Sequence, residues 1–388
     1  MSVTRAAGFT ASGVTAGLKP SGRPDLALVV NTGPDHVAAA VFTSNRVKAA
    51  PVLWSQQAVA DGRLHAVVLN SGGANACTGP AGFGDTHRTA EHVAAALSAH
   101  GAEVGAGDVA VCSTGLIGTR LPMDLVTAGV TAAAAALDDD GGADAARAIM
   151  TTDTVAKTAS YVDEGWSVGG MAKGAGMLAP GLATMLVVLT TDAVLDAEAA
   201  DAHLRKACAA TFDRVDSDGC MSTNDTVVLM SSGASGVRPA AQDFQAALDE
   251  TCHDLAMQLL HDAEGAAHDI AIEVQHAASD TDALEVARAV ARSNLFKCAV
   301  FGGDPNWGRV LAALGTTAAD FDPDRIDVAF NGVEVCRDGA IGEDRSLVDL
   351  SARDVRVAIN LRNGRGRATV WTNDLTYDYV KENAEYST

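Results

Sequence analysis

The sequence predicts an α/β protein with mixed strand order and a smaller β-rich domain at its C-terminal end. Three observations predict it. Short apolar runs alternate with turn residues between about residues 26 and 69, as expected of buried strands. Helix-like stretches are interspersed, at about 90–100, 125–137, 197–211 and 241–263. From about residue 265 alternating runs appear around Asn331-Gly332 and Asn363-Gly364, dipeptides that favour the tight primed turns of hairpins.

The elements follow in order. Leu26-Ala27-Leu28-Val29-Val30, Val37-Ala38-Ala39-Ala40-Val41-Phe42 and Ala66-Val67-Val68-Leu69 read as buried strands. A helix over 90–100 is opened by Asp85, Thr86 or Thr89. Val109-Ala110-Val111-Cys112 is a strand running into the small-residue turn Ser113-Thr114-Gly115. An alanine-rich helix over 125–137 ends at the acidic loop Asp138-Asp139-Asp140-Gly141-Gly142. After Trp166 the chain becomes glycine-rich, and Met185-Leu186-Val187-Val188-Leu189 opens a strongly apolar strand. Beyond the helices at 197–211 and 241–263 come Ile270-Ala271-Ile272-Glu273-Val274 and a helix over 281–293. Two hairpins are predicted, one over 328–335 and one joining 355–361 to 368–371 around Asn363-Gly364. There is no internal repeat.

Composition narrows the function classes. The 388 residues suffice for one large domain or two to three ordinary ones, and 48% are hydrophobic, enough for a sizeable core. A net charge of −21 disfavours nucleic acid and anionic membrane as partners. It reads first as a source of solubility and second as a field that attracts a cationic small molecule. No run of eighteen apolar residues exists, and the start Met1-Ser2-Val3-Thr4-Arg5 opens no long apolar core, so a cytoplasmic location is expected. The seven cysteines are scattered, with no Cys-x-x-Cys pair, which argues for reduced core residues rather than disulfides or structural zinc.

Several chemistries drop out. The sequence has no G-x-x-x-x-G-K-[ST] phosphate loop and no G-x-S-x-G elbow. Asp216-Ser217-Asp218-Gly219 hints at a calcium loop, but Arg214 stands at its first ligand position. His261, Glu264 and His268 would share one face of a continuous helix, but Gly265 interrupts it, so they read as a polar helix end rather than metal ligands.

The segment Lys173-Gly174-Ala175-Gly176-Met177-Leu178-Ala179-Pro180-Gly181-Leu182-Ala183-Thr184-Met185 is a flexible, glycine-rich approach to a threonine at the mouth of a buried strand. Such a threonine, taken alone, is an ordinary β-branched strand former. The whole string resembles the cleavage-site signature of the ornithine acetyltransferase family, the glutamate N-acetyltransferases of arginine biosynthesis. The resemblance extends in order through Asn70-Ser71-Gly72-Gly73-Ala74-Asn75-Ala76-Cys77, Cys112-Ser113-Thr114-Gly115 and Ser222-Thr223-Asn224-Asp225-Thr226. It continues in Gly303-Asp304-Pro305-Asn306-Trp307-Gly308-Arg309 and the tail Glu382-Asn383-Ala384-Glu385-Tyr386-Ser387-Thr388. One departure is Gly181-Leu182, where many members carry Asn-Met; it leaves Ala183-Thr184 untouched.

The resemblance implies a layered mixed-sheet α/β fold and self-cleavage between Ala183 and Thr184. It implies an α chain of residues 1–183 carrying the oxyanion-hole turn and a β chain of 184–388. Residues 184–264 would complete the catalytic α/β domain, and 265–388 would form a C-terminal α+β domain with its tail returning to the active site. Two chains of each kind would form a heterotetramer. Thr184 would be the nucleophile, and Thr114 with Gly115 the oxyanion hole. Lys173, Thr184, Glu264, Asn383 and Thr388 would contact substrate, joined by a threonine of Thr151-Thr152, with Thr151 favoured. The substrates implied are N2-acetylornithine and glutamate, with acetyl-CoA as a possible second donor and no metal or organic cofactor. A freed threonine suits this chemistry: its α-amine, with a reference pKa of roughly 7.7–8.0, can serve as the base that a hydroxyl nucleophile needs. The alternatives are a self-processing aminopeptidase or amidase that passes the acyl group to water, and a binding module without turnover.

Overall fold

The computed structural model describes residues 2–99, 101–177 and 185–385. Ala183, Thr184 and Thr388 lie outside the described residues. The N-terminal part begins with strands β1 (Phe9–Val14), β2 (Leu26–Asn31) and β3 (Val37–Phe42). Helix α1 (Ala50–Ala58), strand β4 (Ala66–Asn70), helix α2 (Gly79–Ala99) and strand β5 (Val109–Ser113) follow. Helices α3 (Met123–Ala135) and α4 (Gly142–Ala148) come next, then strands β6 (Lys157–Asp163), β7 (Trp166–Lys173) and β8 (Leu186–Thr191). Helix α5 (Ala197–Ala210), strand β9 (Thr226–Ser231) and helix α6 (Ala241–His261) close this part.

Two sheets lie face to face. The first runs β1-β2-β4-β5, the second β3-β9-β8-β7-β6. Ala27, Val29, Val67 and Leu69 on the inner face of the first meet Leu186, Val188, Val228 and Met230 of the second in one buried cluster. The outer face of the first sheet, through Leu28 and Val68, packs on Val93 and Leu97 of α2 and Val126 and Val130 of α3. The outer face of the second, through Val187, Leu189 and Leu229, packs on Leu204 of α5 and Leu248, Leu255 and Leu259 of α6. The result is a helix–sheet–sheet–helix stack. Coverage of both faces explains why β2, β4, β5, β7, β8 and β9 are buried at every position, and why β2, β4 and β8 read as largely apolar runs. Within the second sheet β8 lies parallel to β9 and antiparallel to β7.

The last third comprises β10 (Asp269–Ala277), α7 (Asp280–Ala291), α8 (Asn294–Phe301), α9 (Trp307–Leu314), β11 (Asp327–Phe330), β12 (Val333–Arg337), β13 (Ala340–Ile341), β14 (Asp354–Asn360), β15 (Gly366–Asn373) and α10 (Tyr377–Glu385). Its sheet has the order β13-β12-β11-β14-β10-β15 and packs against α7, α8 and α9 through Val286, Val290, Phe296 and Val310. Ser279 caps α7 by accepting from the Asp282 N–H. Among the described residues, no helix is long and apolar enough to cross a membrane.

The expected hairpin over 328–335 is present. Asn331 and Gly332 both have positive φ, 47° and 89°, as a tight primed turn requires. The second expected hairpin is corrected. β10 inserts between the two strands, parallel to β14 and antiparallel to β15, so Asn363-Gly364 links strands that are not neighbours. Helix α2 starts well before residue 90. Asp85, Thr86 and Thr89 lie inside it, the two hydroxyls bonding the carbonyls of Gly82 and Asp85 four residues back. Residues 377–385, given no element by the sequence patterning, form helix α10.

Candidate active site

The oxyanion-hole candidates sit where β5 leaves the first sheet. The Thr114 N–H donates to the Asn70 carbonyl (2.9 Å), and the Thr114 carbonyl accepts from the Gly73 N–H (3.0 Å). Asn224 fixes the same turn from the second sheet, its amide donating to the carbonyls of Ser113 (2.8 Å) and Ala74 (2.7 Å). Gly115 has φ +126°, and a Cβ there would come within 2.8 Å of the Gly73 nitrogen. Only glycine lets the backbone pass so close.

Lys173, the last residue of β7, is 1% exposed, and its Nζ lies 3.4 Å from Thr114 Oγ1. Burial lowers its pKa, against the attraction of Asp153, Asp225 and Glu264 and together with repulsion from Lys157. Behind it lies a buried ionic group. Asp153 Oδ1 accepts from Lys157 Nζ and from the Gly174 N–H, both at 2.6 Å, and Lys157 also meets Asp262 at 2.6 Å. Burial alone would push the Asp153 carboxyl up, but Lys173 and Lys157 overcome it and hold the pKa at about 2. Asp153 also accepts from the Thr151 N–H (2.8 Å), so it ties the 151–153 segment to the end of β7.

Glu264 stands just beyond α6, its N–H donating to the Ala175 carbonyl (2.8 Å). Its carboxylate accepts from Thr152 Oγ1 at 2.8 Å and from the Asn383 amide on α10 at 3.1 Å. Thr114, Gly115, Lys173, Glu264, Tyr379 and Asn383 line one cleft of about 220 Å³. Thr151 and Thr152 both border it. The hydroxyl that meets Glu264 is that of Thr152, whereas that of Thr151 turns to Asp153 at 3.4 Å. Met185, the first described residue after 177, is buried, and its carbonyl accepts from the Thr226 N–H at 3.2 Å.

The structure separates His261, Glu264 and His268. α6 ends at His261, which pairs with Asp269, while His268 pairs with Asp374. Among the described residues no cluster of His, Cys, Asp or Glu is arranged to hold a metal ion.

Asp153, Asn224 and Asp225 belong to the site region but carry no role in the sequence reading. Asp225 is 1% exposed, and neither carboxyl oxygen has a hydrogen-bond partner among the described residues. The Ser222 hydroxyl, the Met185 N–H and the Thr43 hydroxyl face it outside ordinary hydrogen-bond geometry. Burial pushes its pKa well above the usual 3.8. The folded state therefore favours the protonated acid, and the cost to stability grows as pH rises from about 4 toward the raised value. Asp225→Asn is expected to raise Tm at neutral pH, with the gain shrinking as pH falls to 4. Melting curves across that range check it. A Tm lowered equally at every pH would show that the carboxyl supports the fold.

A double-sheet stack that gathers a hydroxyl, a buried ammonium and a hydrogen-bonded carboxylate around one cleft defines an enzyme. A model of the ArgJ family matches residues 10–388. The Streptomyces coelicolor protein named arginine biosynthesis bifunctional protein ArgJ is 64% identical over 387 residues, covering 100% of both chains. The Thermobifida fusca protein of the same name is 63% identical over 388 residues, again with 100% of both covered. Among solved structures, ornithine acetyltransferase of Mycobacterium tuberculosis complexed with ornithine is 62% identical over 48% of this chain and 96% of that one, with TM-score 0.46. The chain belongs to the ArgJ family.

Proposed function

We propose that the chain is a self-cleaving glutamate N-acetyltransferase that moves acetyl from N2-acetylornithine to glutamate through an acetyl-Thr184 intermediate. Its broader part follows from the family: the chain is an acetyltransferase of arginine biosynthesis. Relatives are named bifunctional, and acetyl-CoA is the second donor in this reading. The observation that carries the finer reading is the convergence in one cleft of Thr114, Gly115, Thr152, Lys173, Glu264 and Asn383, drawn from well-separated parts of the sequence.

In this mechanism the Thr184 hydroxyl attacks the acetyl carbonyl while its own α-amine takes the proton. The Thr114 hydroxyl and the Gly115 N–H receive the developing oxyanion. The ammonium of Lys173 adds positive charge beside Thr114. The tetrahedral adduct collapses, the C–N bond breaks, and ornithine leaves with the proton. Glutamate then attacks the acetyl ester and departs as N-acetylglutamate, restoring the hydroxyl. Glu264 supplies a carboxylate for the cationic end of ornithine, with Thr152 and Asn383 holding it in place. Thr151 and Thr388 belong to the same substrate-contact set. The mature enzyme is a cytoplasmic heterotetramer of two α chains (1–183) and two β chains (184–388).

A covalent intermediate requires ornithine to leave before glutamate reacts. Double-reciprocal plots with the two substrates are expected to be parallel. Enzyme mixed with acetylornithine alone should carry one acetyl group on the β chain by mass spectrometry. Intersecting lines without an adduct would indicate direct transfer. An adduct that discharges to water as readily as to glutamate would make the enzyme an amidase.

A further inference from the structure

We infer that Asp218 is a positioning residue for self-cleavage, through which the C-terminal layer holds the arm that leads into the cleavage segment. The inference rests on the self-cleaving function proposed above. The arm is residues 174–177, between β7 and the undescribed 178–184, and three contacts pin its backbone. The Gly174 N–H donates to Asp153 Oδ1 (2.6 Å), the Ala175 carbonyl accepts from the Glu264 N–H (2.8 Å), and the Met177 N–H donates to Asp218 Oδ2 (2.6 Å). Between them, Gly176 lies so close to Glu264 that a Cβ would stand 2.5 Å from its Oε2.

Met177 has φ +58°, a left-handed conformation that an unbranched non-glycine residue adopts only when something holds it. The short bond to a carboxylate is such a hold. Asp218 is itself held, its Oδ1 accepting from the Cys220 N–H at 3.1 Å.

The first two contacts come from the sandwich, but the third has a different root. The loop bearing Asp218 is tied to the C-terminal layer at several points. Arg292 at the end of α7 pairs with Asp216 at 2.7 Å, and the Asp216 N–H donates to the Trp371 carbonyl on β15 at 2.8 Å. The Ser217 hydroxyl donates to Asn373 Oδ1 at 2.7 Å, and Lys297 of α8 donates to the Ser217 carbonyl. The clamp on Met177 is therefore complete only when β15, α7 and α8 are in place.

Self-cleavage needs a defined backbone path. The Thr184 hydroxyl must bond to the Ala183 carbonyl carbon as the C–N bond breaks, with the hydroxyl proton passing to the freed nitrogen. Water then hydrolyses the ester to the Ala183 carboxylate and the Thr184 hydroxyl. Attack geometry is steep in rate, so the hold on Met177 is expected to bear on the rate of the cut.

The test follows conversion of freshly refolded full-length chain into two chains by denaturing mass spectrometry. Asp218→Ala is expected to slow conversion about tenfold or more, and Asp218→Asn, which keeps a neutral acceptor, to fall between. Arg292→Ala, which removes one tether of the loop but keeps Asp218, should also slow it. Turnover per cleaved chain should fall less than the cleavage rate. A parallel loss of both would reveal a general structural defect and overturn the inference. So would wild-type cleavage in a natively folded Asp218→Ala or, where that variant does not fold, in both other variants. An uncut wild-type chain overturns the function proposed above as well, whereas equal cleavage of wild type and variants sinks the clamp alone.

Discussion

Replacing Thr184 by alanine is expected to leave one uncut chain of 388 residues and to abolish acetyl transfer. In the proposed mechanism the same atom serves both reactions. The hydroxyl oxygen would attack the Ala183 carbonyl once and the acetyl carbonyl in every later cycle, and alanine offers no nucleophile for either. The base proposed for turnover, the α-amine that cleavage creates, would also be missing from the uncut chain. Thr184→Ser should cleave and retain part of the activity, since it keeps the oxygen and loses only a methyl group. Denaturing mass spectrometry and a coupled assay of ornithine release decide the matter. Normal cleavage in the alanine variant would remove Thr184 from the mechanism.

Thr114→Ala is expected to lower kcat by about 10²–10³, the usual cost of losing one oxyanion donor, with a smaller effect on KM. In the proposed role its hydroxyl acts on charge that exists only in the transition state, so loss should appear in kcat and kcat/KM together. The fold should hold, because the turn is pinned by backbone contacts to Asn70 and Gly73 and by the Asn224 amide, none of which uses the Thr114 side chain. Steady-state kinetics on fully cleaved variant measure the effect. A raised KM with normal kcat would make Thr114 a ground-state contact.

Of the sandwich strands, β2, β3, β4, β5 and β8 were legible as apolar runs, as in Leu26-Ala27-Leu28-Val29-Val30 and Leu186-Val187-Val188-Leu189, whereas β1, β6 and β9 were not called. β7 was not, because its centre is Gly169-Gly170. The small residues are required by close packing: a Cβ at Gly169 would meet the Ser2 carbonyl oxygen at 2.3 Å, and one at Gly170 would meet Leu255. That information lies in distant segments. The same holds for β14 and β15, where a sound local turn signal at Asn363-Gly364 was overridden by β10, nearly ninety residues earlier. In the site, Thr114, Gly115, Lys173, Glu264 and Asn383 were named on resemblance and meet in one cleft. Asp153 and Asp218 were not assigned roles, because an aspartate that receives backbone N–H groups looks in sequence like any loop aspartate.

The order β3-β9-β8-β7-β6 bears on what the cut does to the molecule. Strands β3, β6 and β7 precede residue 184, and β8 and β9 follow it. The later pair is therefore flanked on both sides by strands of the earlier segment, with Lys173 opposite Leu186 and Val41 opposite Val227. Severing the chain before Thr184 changes its covalent connectivity but creates no separable halves. The five-stranded sheet belongs wholly to neither fragment, and each would expose bare strand edges and apolar faces if it withdrew. Two polypeptides would behave as a single cooperative folding unit, exchanging partners between molecules no faster than the whole sandwich unfolds.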